Sequence, residues 1–363
     1  MKPYFNISPS DLSIFTINVF KSIGCSSQDA ALAADVLISA DLRGIDSHGV
    51  ARLDGYVRLY ENKRINTQPN IRIIREKKGV FTIEGDAGLG LVVAPKAMET
   101  AIEKTHQYGV SYGAVCNSNH FGIAAYHAMM ALEHGYIGMA MTNASPLVAP
   151  TFSKERMLGT NPICYAIPAG KQAPFVLDMA SSAAANGKLE IAERKNLKVP
   201  EGWLETKDGA NTDDPKDLKE GGHLLPLGSD KNHGSHKGYG LGALVDILSG
   251  VLSGSSFGPW VPPFVSFLPV LPDMPGKGLG HFLGVMDIDG FIEKQEFLDR
   301  MDQWILRFKQ AKTVDSNQPV IIHGEPEADM HRMRMEKGIP IIDKVANNLI
   351  ALAEKYNLEH PFQ

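Results

Sequence analysis

The sequence lacks the features that mark membrane-spanning, exported and nucleic-acid-binding proteins. None of its apolar runs approaches the roughly 20 residues that a helix needs to cross a bilayer. The opening stretch, MKPYFNISPSDLSIF, has no basic region followed by an apolar one, so we expect no signal peptide. The net charge of the 363 residues is −5 and no basic stretch dominates, which argues against a nucleic-acid partner.

Cysteine is also scarce. The three cysteines, Cys25, Cys116 and Cys164, are an odd number at wide spacing, each in an apolar setting. We therefore expect buried free thiols and a reducing compartment, the cytoplasm, rather than a disulfide framework. The remaining composition, 44% hydrophobic and 21% charged, is typical of a globular protein with a sizeable core.

Several catalytic signatures are missing. The chain contains neither H-E-x-x-H nor the G-x-S-x-G elbow of the α/β-hydrolases, and no metal site is expected. The glycines of GDAGLGLVVAPKA (Gly85, Gly88 and Gly90) do not form G-x-G-x-x-G, and no acidic residue ends a second strand about 20 residues later. They predict a tight strand-to-helix turn instead of a Rossmann fold. His233 and His236, spaced H-x-x-H, leave a metal-dependent hydrolase or lyase as an alternative.

The order of patterns predicts an α/β (α+β) protein with helices at both ends. Helical periodicity covers residues 8–43, the stretch after residue 52 and the C-terminal part of the chain. From about residue 71, strand-like and helical segments alternate, which indicates a sheet covered by helices. Residues 195–235 are polar and predict a long surface loop. We expect a discontinuous helical domain (1–72 plus about 310–363) and a sheet-bearing domain (73–309).

The polar cluster DSHGVAR carries the first candidate site. If a helix begins near Ser47, then His48, Arg52 and Tyr56 fall four residues apart and share one face. A guanidinium fork beside an imidazole and a phenol suits a small carboxylate. A capped helix start with a solvated arginine would produce the same spacing.

His120 is the candidate acid/base. It lies in CNSNHFGIAAY, between a predicted strand and a predicted helix, where functional residues concentrate. An imidazole titrates near neutral pH, so it can take a proton from an alcohol and return it to a carbonyl. A purely structural histidine is the alternative.

Three later segments could handle anions and ribose hydroxyls. TNASPLVAP offers Asn143 and Ser145 as donors, and FVLDMASS ends a predicted strand at Asp178. Lys237 precedes the glycines of a helix start, where free N–H groups and the helix dipole favour phosphate. Each segment taken singly could equally be a loop or a closely packed helix.

Taken together, the segments resemble the malate/L-lactate dehydrogenase family, which lacks a Rossmann fold and includes ureidoglycolate and sulfolactate dehydrogenases, diketogulonate reductase and Δ1-piperideine-2-carboxylate reductase. The matching pieces are colinear over nearly the whole chain: GIDSHGVARLDGY, SNHFGIAAY, TNASPLVAP, LGTNPICYAIP, FVLDMASS, HKGYGLGALVDILSG, GKGLGHF and HGEPE. Two departures are Asn186, where many relatives carry another residue, and the unusual stretch WVPPFVSFLPVLPDMP.

The resemblance implies a non-Rossmann, mixed-sheet cofactor domain, a helical domain from both termini, and a homodimer. It implies hydride transfer between NAD or NADP and a small 2-hydroxy or 2-keto acid of the malate or L-lactate type, with His120 as acid/base. The implied substrate-side residues are Ser47, His48, Arg52 and Asn161. The implied cofactor contacts are Ser145, Asp178, Met179, Ala180, Lys237, Gly276, Lys277 and Gly278. A ureidoglycolate- or imine-specific member and a member without turnover remain alternatives.

Overall fold

Ten α-helices and twelve β-strands form the computed structural model, which describes residues 4–362. The helices are α1 (Pro9–Ser22), α2 (Ser27–Leu42), α3 (Leu53–Glu61), α4 (Gly90–Tyr108), α5 (Ala124–Met129), α6 (Asn186–Lys195), α7 (Ser235–Asp246), α8 (Lys294–Lys309), α9 (Glu325–Lys337) and α10 (Asp343–Tyr356). The strands are β1 (Tyr4–Ile7), β2 (Arg72–Lys77), β3 (Val80–Glu84), β4 (Val110–Ser118), β5 (Ile137–Thr142), β6 (Ile163–Ile167), β7 (Phe175–Met179), β8 (Leu204–Glu205), β9 (Asn211–Thr212), β10 (His223–Leu224), β11 (Leu279–Met286) and β12 (Ile339–Ile342).

A seven-stranded sheet with the order β2-β3-β4-β11-β5-β6-β7 forms the middle of the molecule. Only the β3–β4 pair is parallel, and the other five neighbouring pairs are antiparallel. The late strand β11 lies between β4 and β5, with His281 opposite both Val115 and Thr142. This order is unlike a doubly wound parallel sheet, and it confirms the predicted mixed-sheet fold.

Helices α4 and α5 cover one face of this sheet. Alanines and Met98 on α4 pack against Val115 of β4 and Leu283 of β11 in a buried apolar cluster. On the other face, Val245 of α7 contacts Met139 and Met141 of β5. The sheet thus lies between two helical layers. The loops that follow β4 and β5 begin at Ser118 and Thr142, where these strands end.

The two ends of the described chain meet. β1 pairs antiparallel with β12, with Phe5 opposite Ile341, and α10 packs with α1, α2 and α3 around Phe15, Phe20 and Leu349. A helical layer with its own core therefore draws on both termini. The domain boundaries themselves stay a prediction.

The stretch 195–235 is more ordered than the sequence predicts. It contains a small antiparallel sheet, β10-β8-β9, whose Leu204 and Leu224 are buried with Leu147 and Val148. Strands of two residues carry too little apolar periodicity to be recognised in a polar stretch, so the expectation of a long loop was wrong. Among residues 4–362, no helix is long and apolar enough to cross a membrane.

Candidate active site

His120 lies on the loop that joins β4 to α5, and its neighbours fix that loop. The side-chain amide of Asn119 donates to the backbone oxygens of Ala87 and Gly88 at 2.9 and 3.0 Å. At Gly90, a Cβ would lie only 2.1 Å from the Asn119 oxygen, so only glycine permits this approach. The glycine-rich turn after β3 is not a Rossmann fingerprint; it supports the His120 loop.

Tyr56 orients the His120 ring. Its Oη lies 2.6 Å from Nδ1 of His120 and 3.3 Å from the His120 backbone oxygen, and the Gly122 N–H donates to Nδ1 at 3.3 Å. Tyr56 is fully buried, and burial raises the pKa of its phenol, so the hydroxyl keeps its proton. It can donate to unprotonated Nδ1, or accept from protonated Nδ1 while donating to the backbone oxygen. Both protonation states of the imidazole then keep a hydrogen bond.

His48 reaches the same place by a different geometry from the one predicted. A 3₁₀ turn (Val50–Arg52) precedes α3, which begins at Leu53, so the expectation of a helix from near Ser47 was wrong. The carboxyl group of Asp41, at the end of α2, accepts the Val50 N–H at 2.8 Å and ties the start of this turn to α2. The His48 ring stacks on His120, with centroids 5.7 Å apart and planes 19° apart, and Ser47 Oγ lies 2.9 Å from His48 Nδ1.

Arg52 is held by two contacts. Its Nε donates to the Ser47 backbone oxygen at 2.6 Å, and Nη1 donates to Oε1 of Glu190 on α6 at 3.1 Å. Glu190 also accepts from the Asn186 amide at 2.8 Å. Within residues 4–362, Nη2 of Arg52 has no hydrogen-bond partner. The guanidinium is thus oriented on one side and retains free donors on the other.

The surroundings keep both imidazoles neutral. Burial, followed by His48, Arg52 and His281, lowers the pKa of His120 well below its ordinary value. Burial and the neighbouring Arg52 lower the pKa of His48 to about 3. His120 is therefore unprotonated at neutral pH and able to accept a proton.

Phe264 is the residue at this site that sequence reasoning missed. Its ring centroid lies 4.7 Å from that of His120 and 5.1 Å from that of Tyr56, and Cζ of Arg52 lies 5.9 Å from the ring. It belongs to the unusual stretch WVPPFVSFLPVLPDMP, far from the other site residues along the chain, and no local pattern marks it. With His48, Arg52, His120 and Ser145 it lines a cavity of about 60 Å³, here called the inner cavity.

Two of the remaining predicted residues, Ser145 and Asn161, support the inner cavity, and the others do not line it. Ser145 lines the inner cavity, where its Oγ accepts the Phe264 N–H at 2.8 Å. Asn161 is buried, and its amide is used by the backbone: Oδ1 accepts from Ala144 at 3.1 Å and Nδ2 donates to Gly242 at 2.9 Å. It stabilises the loop after β5 against α7.

Asp178 lies elsewhere. Its exposed carboxylate accepts the N–H of Ala125 at the start of α5 at 2.8 Å, and it lines a separate depression with Arg43. Met179 and Ala180 follow it and are partly buried. The structure thus does not bring Asp178 to the inner cavity.

Lys237 and the 276–278 glycines are the other predicted cofactor contacts. Lys237 is exposed in the first turn of α7. Gly278 has φ +61, and a Cβ there would lie 2.6 Å from the Ser118 oxygen, so 276–278 packs beside the strand end that leads to His120. The Lys277 side chain is exposed, and no distance in the structure ties these residues to the inner cavity.

Of these residues, Lys237 is the one placed to meet an anionic group such as a phosphate. Lys237 forms no ion pair within residues 4–362 and lies in the first turn of α7, where the helix dipole favours anions. In contrast, His233 is exposed and bonded to Asp230 at 2.8 Å, His236 is exposed, and residues 4–362 hold no group of three or more His, Cys, Asp or Glu placed for a metal ion. The structure lends no support to the metal-dependent alternative.

Comparison with known proteins matches residues 7–350 to the family model described as malate/L-lactate dehydrogenase. A malate dehydrogenase from Pyrococcus horikoshii is 42% identical over 98% of this chain and 97% of the relative. An L-sulfolactate dehydrogenase from Methanocaldococcus jannaschii is 35% identical over 97% of each chain. The crystal structure of malate dehydrogenase from Entamoeba histolytica superposes with a TM-score of 0.92 at 32% identity, covering 99% of this chain and 100% of that one. The chain belongs to the malate/L-lactate dehydrogenase family.

Proposed function

We propose that the chain interconverts a small 2-hydroxy acid and its 2-keto acid, with NAD or NADP as redox partner and His120 as acid/base. The observation that carries this proposal is the 2.6 Å contact between Tyr56 Oη and Nδ1 of His120, whose side chain lines one cavity together with the Arg52 guanidinium. An oriented imidazole next to a carboxylate-binding group is what a proton transfer at C2 of such an acid requires.

His120 moves the proton. In oxidation, its unprotonated Nε2 takes the proton of the C2 hydroxyl, while Nδ1–H donates to Tyr56 Oη and the phenol turns toward the His120 backbone oxygen. In reduction, the protonated ring returns this proton to the carbonyl oxygen. Because the pKa of His120 is lowered by burial and by His48 and Arg52, the free protein is set to accept a proton.

Arg52 binds the C1 carboxylate through its free donors and fixes the orientation of C2. Its Nε stays on the Ser47 oxygen, so the guanidinium is oriented before the acid arrives. The bound carboxylate neutralises Arg52, one of the charges that lower the pKa of His120. The imidazole therefore becomes more basic when the acid is in place. Ser47 and His48 support this side of the cavity, and Asn161 acts indirectly by holding the loop of Ala144.

The cofactor is held, in this proposal, by Lys237 at the phosphates, by Ser145 and by the segments Asp178–Ala180 and Gly276–Gly278. When bound, the nicotinamide accepts or supplies the hydride at C2 of the acid. The chain's own contribution is position and charge. The relatives named malate and sulfolactate dehydrogenases support an acid with a second anionic group.

A homodimer is part of the same proposal. Four apolar side chains on α7 and the turn that follows it are about half exposed: Leu244, Ile247, Val251 and Leu252. Exposed apolar patches of this kind mark protein–protein contacts. Light scattering should give the mass of two chains, and Ile247→Lys should shift it toward one. The three free, buried thiols support a reducing compartment such as the cytoplasm.

A substrate panel tests the proposed function. Oxaloacetate, pyruvate, sulfopyruvate, the keto form of ureidoglycolate and a cyclic imine are each assayed with NADH and with NADPH by loss of nicotinamide absorbance. We expect turnover of at least one 2-keto acid, with a preference for a diacid. Turnover of the imine alone would overturn the hydroxy-acid assignment, and no absorbance change with any pair would overturn the oxidoreductase.

A further inference from the structure

Phe264 separates two cavities. It lines the inner cavity of about 60 Å³ at His120, and it also lines a second cavity of about 240 Å³, here called the outer cavity. Arg52 and Val265 are likewise shared between the two. The Phe264 ring is the bulkiest side chain common to both, so its size sets how far the inner cavity extends.

The position of this ring is fixed from three sides. The Phe264 N–H donates to Ser145 Oγ at 2.8 Å, its carbonyl oxygen accepts from Arg58 Nη2 at 2.6 Å, and the Pro263 oxygen accepts from Arg64 Nη1 at 2.9 Å. Gly55 of α3 makes room for the ring, since a Cβ there would lie 2.5 Å from Cζ of Phe264. Glycine is unfavourable in a helix interior, so a side chain seated against it indicates a specific fit.

The outer cavity is cationic. Arg52, Arg58, Arg194, Lys219 and Lys344 line it, against the carboxylates Asp54, Glu190 and Glu193, which leaves a formal charge of +2 (five minus three). Three of the cations form ion pairs: Arg52 lies 3.1 Å from Glu190, Arg194 lies 3.5 Å from the same carboxylate, and Lys219 lies 2.6 Å from Glu193. Lys344 forms no ion pair within the described part of the chain. An anionic group in this cavity would therefore meet an uncompensated ammonium.

We propose that Phe264 limits the length of the acid that this enzyme accepts, by closing the inner cavity off from the cationic outer cavity. The inference rests on the proposed function, since it assumes that the C1 carboxylate lies at Arg52 and the reacting carbon at His120. A short acid fits within the inner cavity, beside the Phe264 ring. With the ring removed, a longer diacid extends past position 264 and places its distal carboxylate near Lys344. Phe264 is thus a specificity-determining residue on a segment that carries no proton-transfer group.

The test compares Phe264→Ala and Phe264→Leu with the wild-type enzyme on oxaloacetate, 2-oxoglutarate and 2-oxoadipate. For F264A, the ratio of kcat/KM for 2-oxoadipate to that for oxaloacetate should rise by about tenfold or more, mainly through KM, with F264L in between. The monocarboxylates 2-oxobutanoate and 2-oxohexanoate should show a smaller change, because they carry no distal charge. Phe267→Ala is the matched control: Phe267 lines the outer cavity alone, so its loss should leave the ratio unchanged.

Adding Lys344→Gln to F264A should remove much of the gain for 2-oxoadipate and none for 2-oxohexanoate. Calorimetric titration of the same acids into each variant without cofactor measures binding independently of turnover. An unchanged preference in F264A and F264L, in rates or in binding, would overturn the inference while leaving the proposed function intact. If the wild-type enzyme reduces no acid, the proposed function fails, and the titrations still decide whether position 264 limits length.

Discussion

Replacing Tyr56 with phenylalanine tests whether the phenol orients the catalytic imidazole. The change removes one oxygen, whose contacts are His120 Nδ1 at 2.6 Å and the His120 backbone oxygen at 3.3 Å. Tyr56 is fully buried, and without its hydroxyl the Nδ1–H that Nε2 needs in order to act as a base has no acceptor, since the nearby Gly122 N–H is itself a donor. Leaving a buried polar atom short of a partner costs about 1–3 kcal/mol.

That cost falls on the transition state, where the ring must carry the proton in one orientation. At 1.36 kcal/mol per factor of ten, we expect kcat to fall roughly five- to 150-fold. The ring itself remains, so its packing against Phe20 and Phe264 persists and cofactor affinity should not change. Tyr60→Phe, on the same helix but without a contact to His120, is the matched control.

The assay is steady-state reduction of the best keto acid in both variants, with cofactor affinity measured by fluorescence titration. A Y56F enzyme whose kcat stays within about twofold of the Y60F value would refute the orienting role, because that difference is below 0.5 kcal/mol. A loss confined to cofactor affinity would refute it as well, since the contact is with the imidazole alone.

Three further predictions follow from charge and burial. Because the pKa of His120 is lowered and oxidation needs the neutral ring, the acid limb of kcat/KM for oxidation should lie below pH 6.5; a limb above pH 7 would contradict this. Glu190→Gln removes the negative charge that competes for Arg52, while its amide oxygen can still accept from Nη1, and should lower KM for the acid about threefold to fivefold with kcat little changed; a raised KM would mean that the charge of Glu190 is needed to hold the guanidinium. Burial lowers the pKa of His127 to about 4 from 6.5, so the unfolded chain binds its proton first as the pH falls. His127 alone should remove about 3 kcal/mol of unfolding free energy between pH 6.5 and 4, in addition to the losses from His48 and His281, so urea titrations of His127→Gln should show a smaller total drop than the wild type, and an equal one would contradict the assignment.

The sequence reveals the parts of this site that local spacing determines. His120 follows a strand and precedes a helix, and the structure has it there. The four-residue spacing of His48, Arg52 and Tyr56 predicted one shared helix face; the structure places all three near His120, but only Arg52 and Tyr56 belong to one continuous helical stretch. Asp41 of the preceding helix α2 accepts the Val50 N–H where the 3₁₀ turn begins, a contact between segments that spacing does not show.

What the sequence leaves unseen depends on contacts between distant segments. The place of β11 between β4 and β5 follows from pairing that no local period encodes. The same holds for β1 and β12, four-residue strands that pair only with each other. No motif marks Phe264; it is held near His120 because Arg58 donates to its carbonyl oxygen, Arg64 donates to the Pro263 oxygen, and its own N–H donates to Ser145 Oγ. The cofactor residues and domain boundaries stay predictions.

The most direct test of the central claim is the rate of hydride transfer in His120→Ala, followed in a single turnover at the absorbance of the reduced nicotinamide. The account predicts a fall of roughly hundredfold to ten-thousandfold, with cofactor affinity unchanged, because the variant loses only its proton donor and acceptor. An H120A enzyme that binds cofactor normally and transfers hydride at close to the wild-type rate would contradict the account.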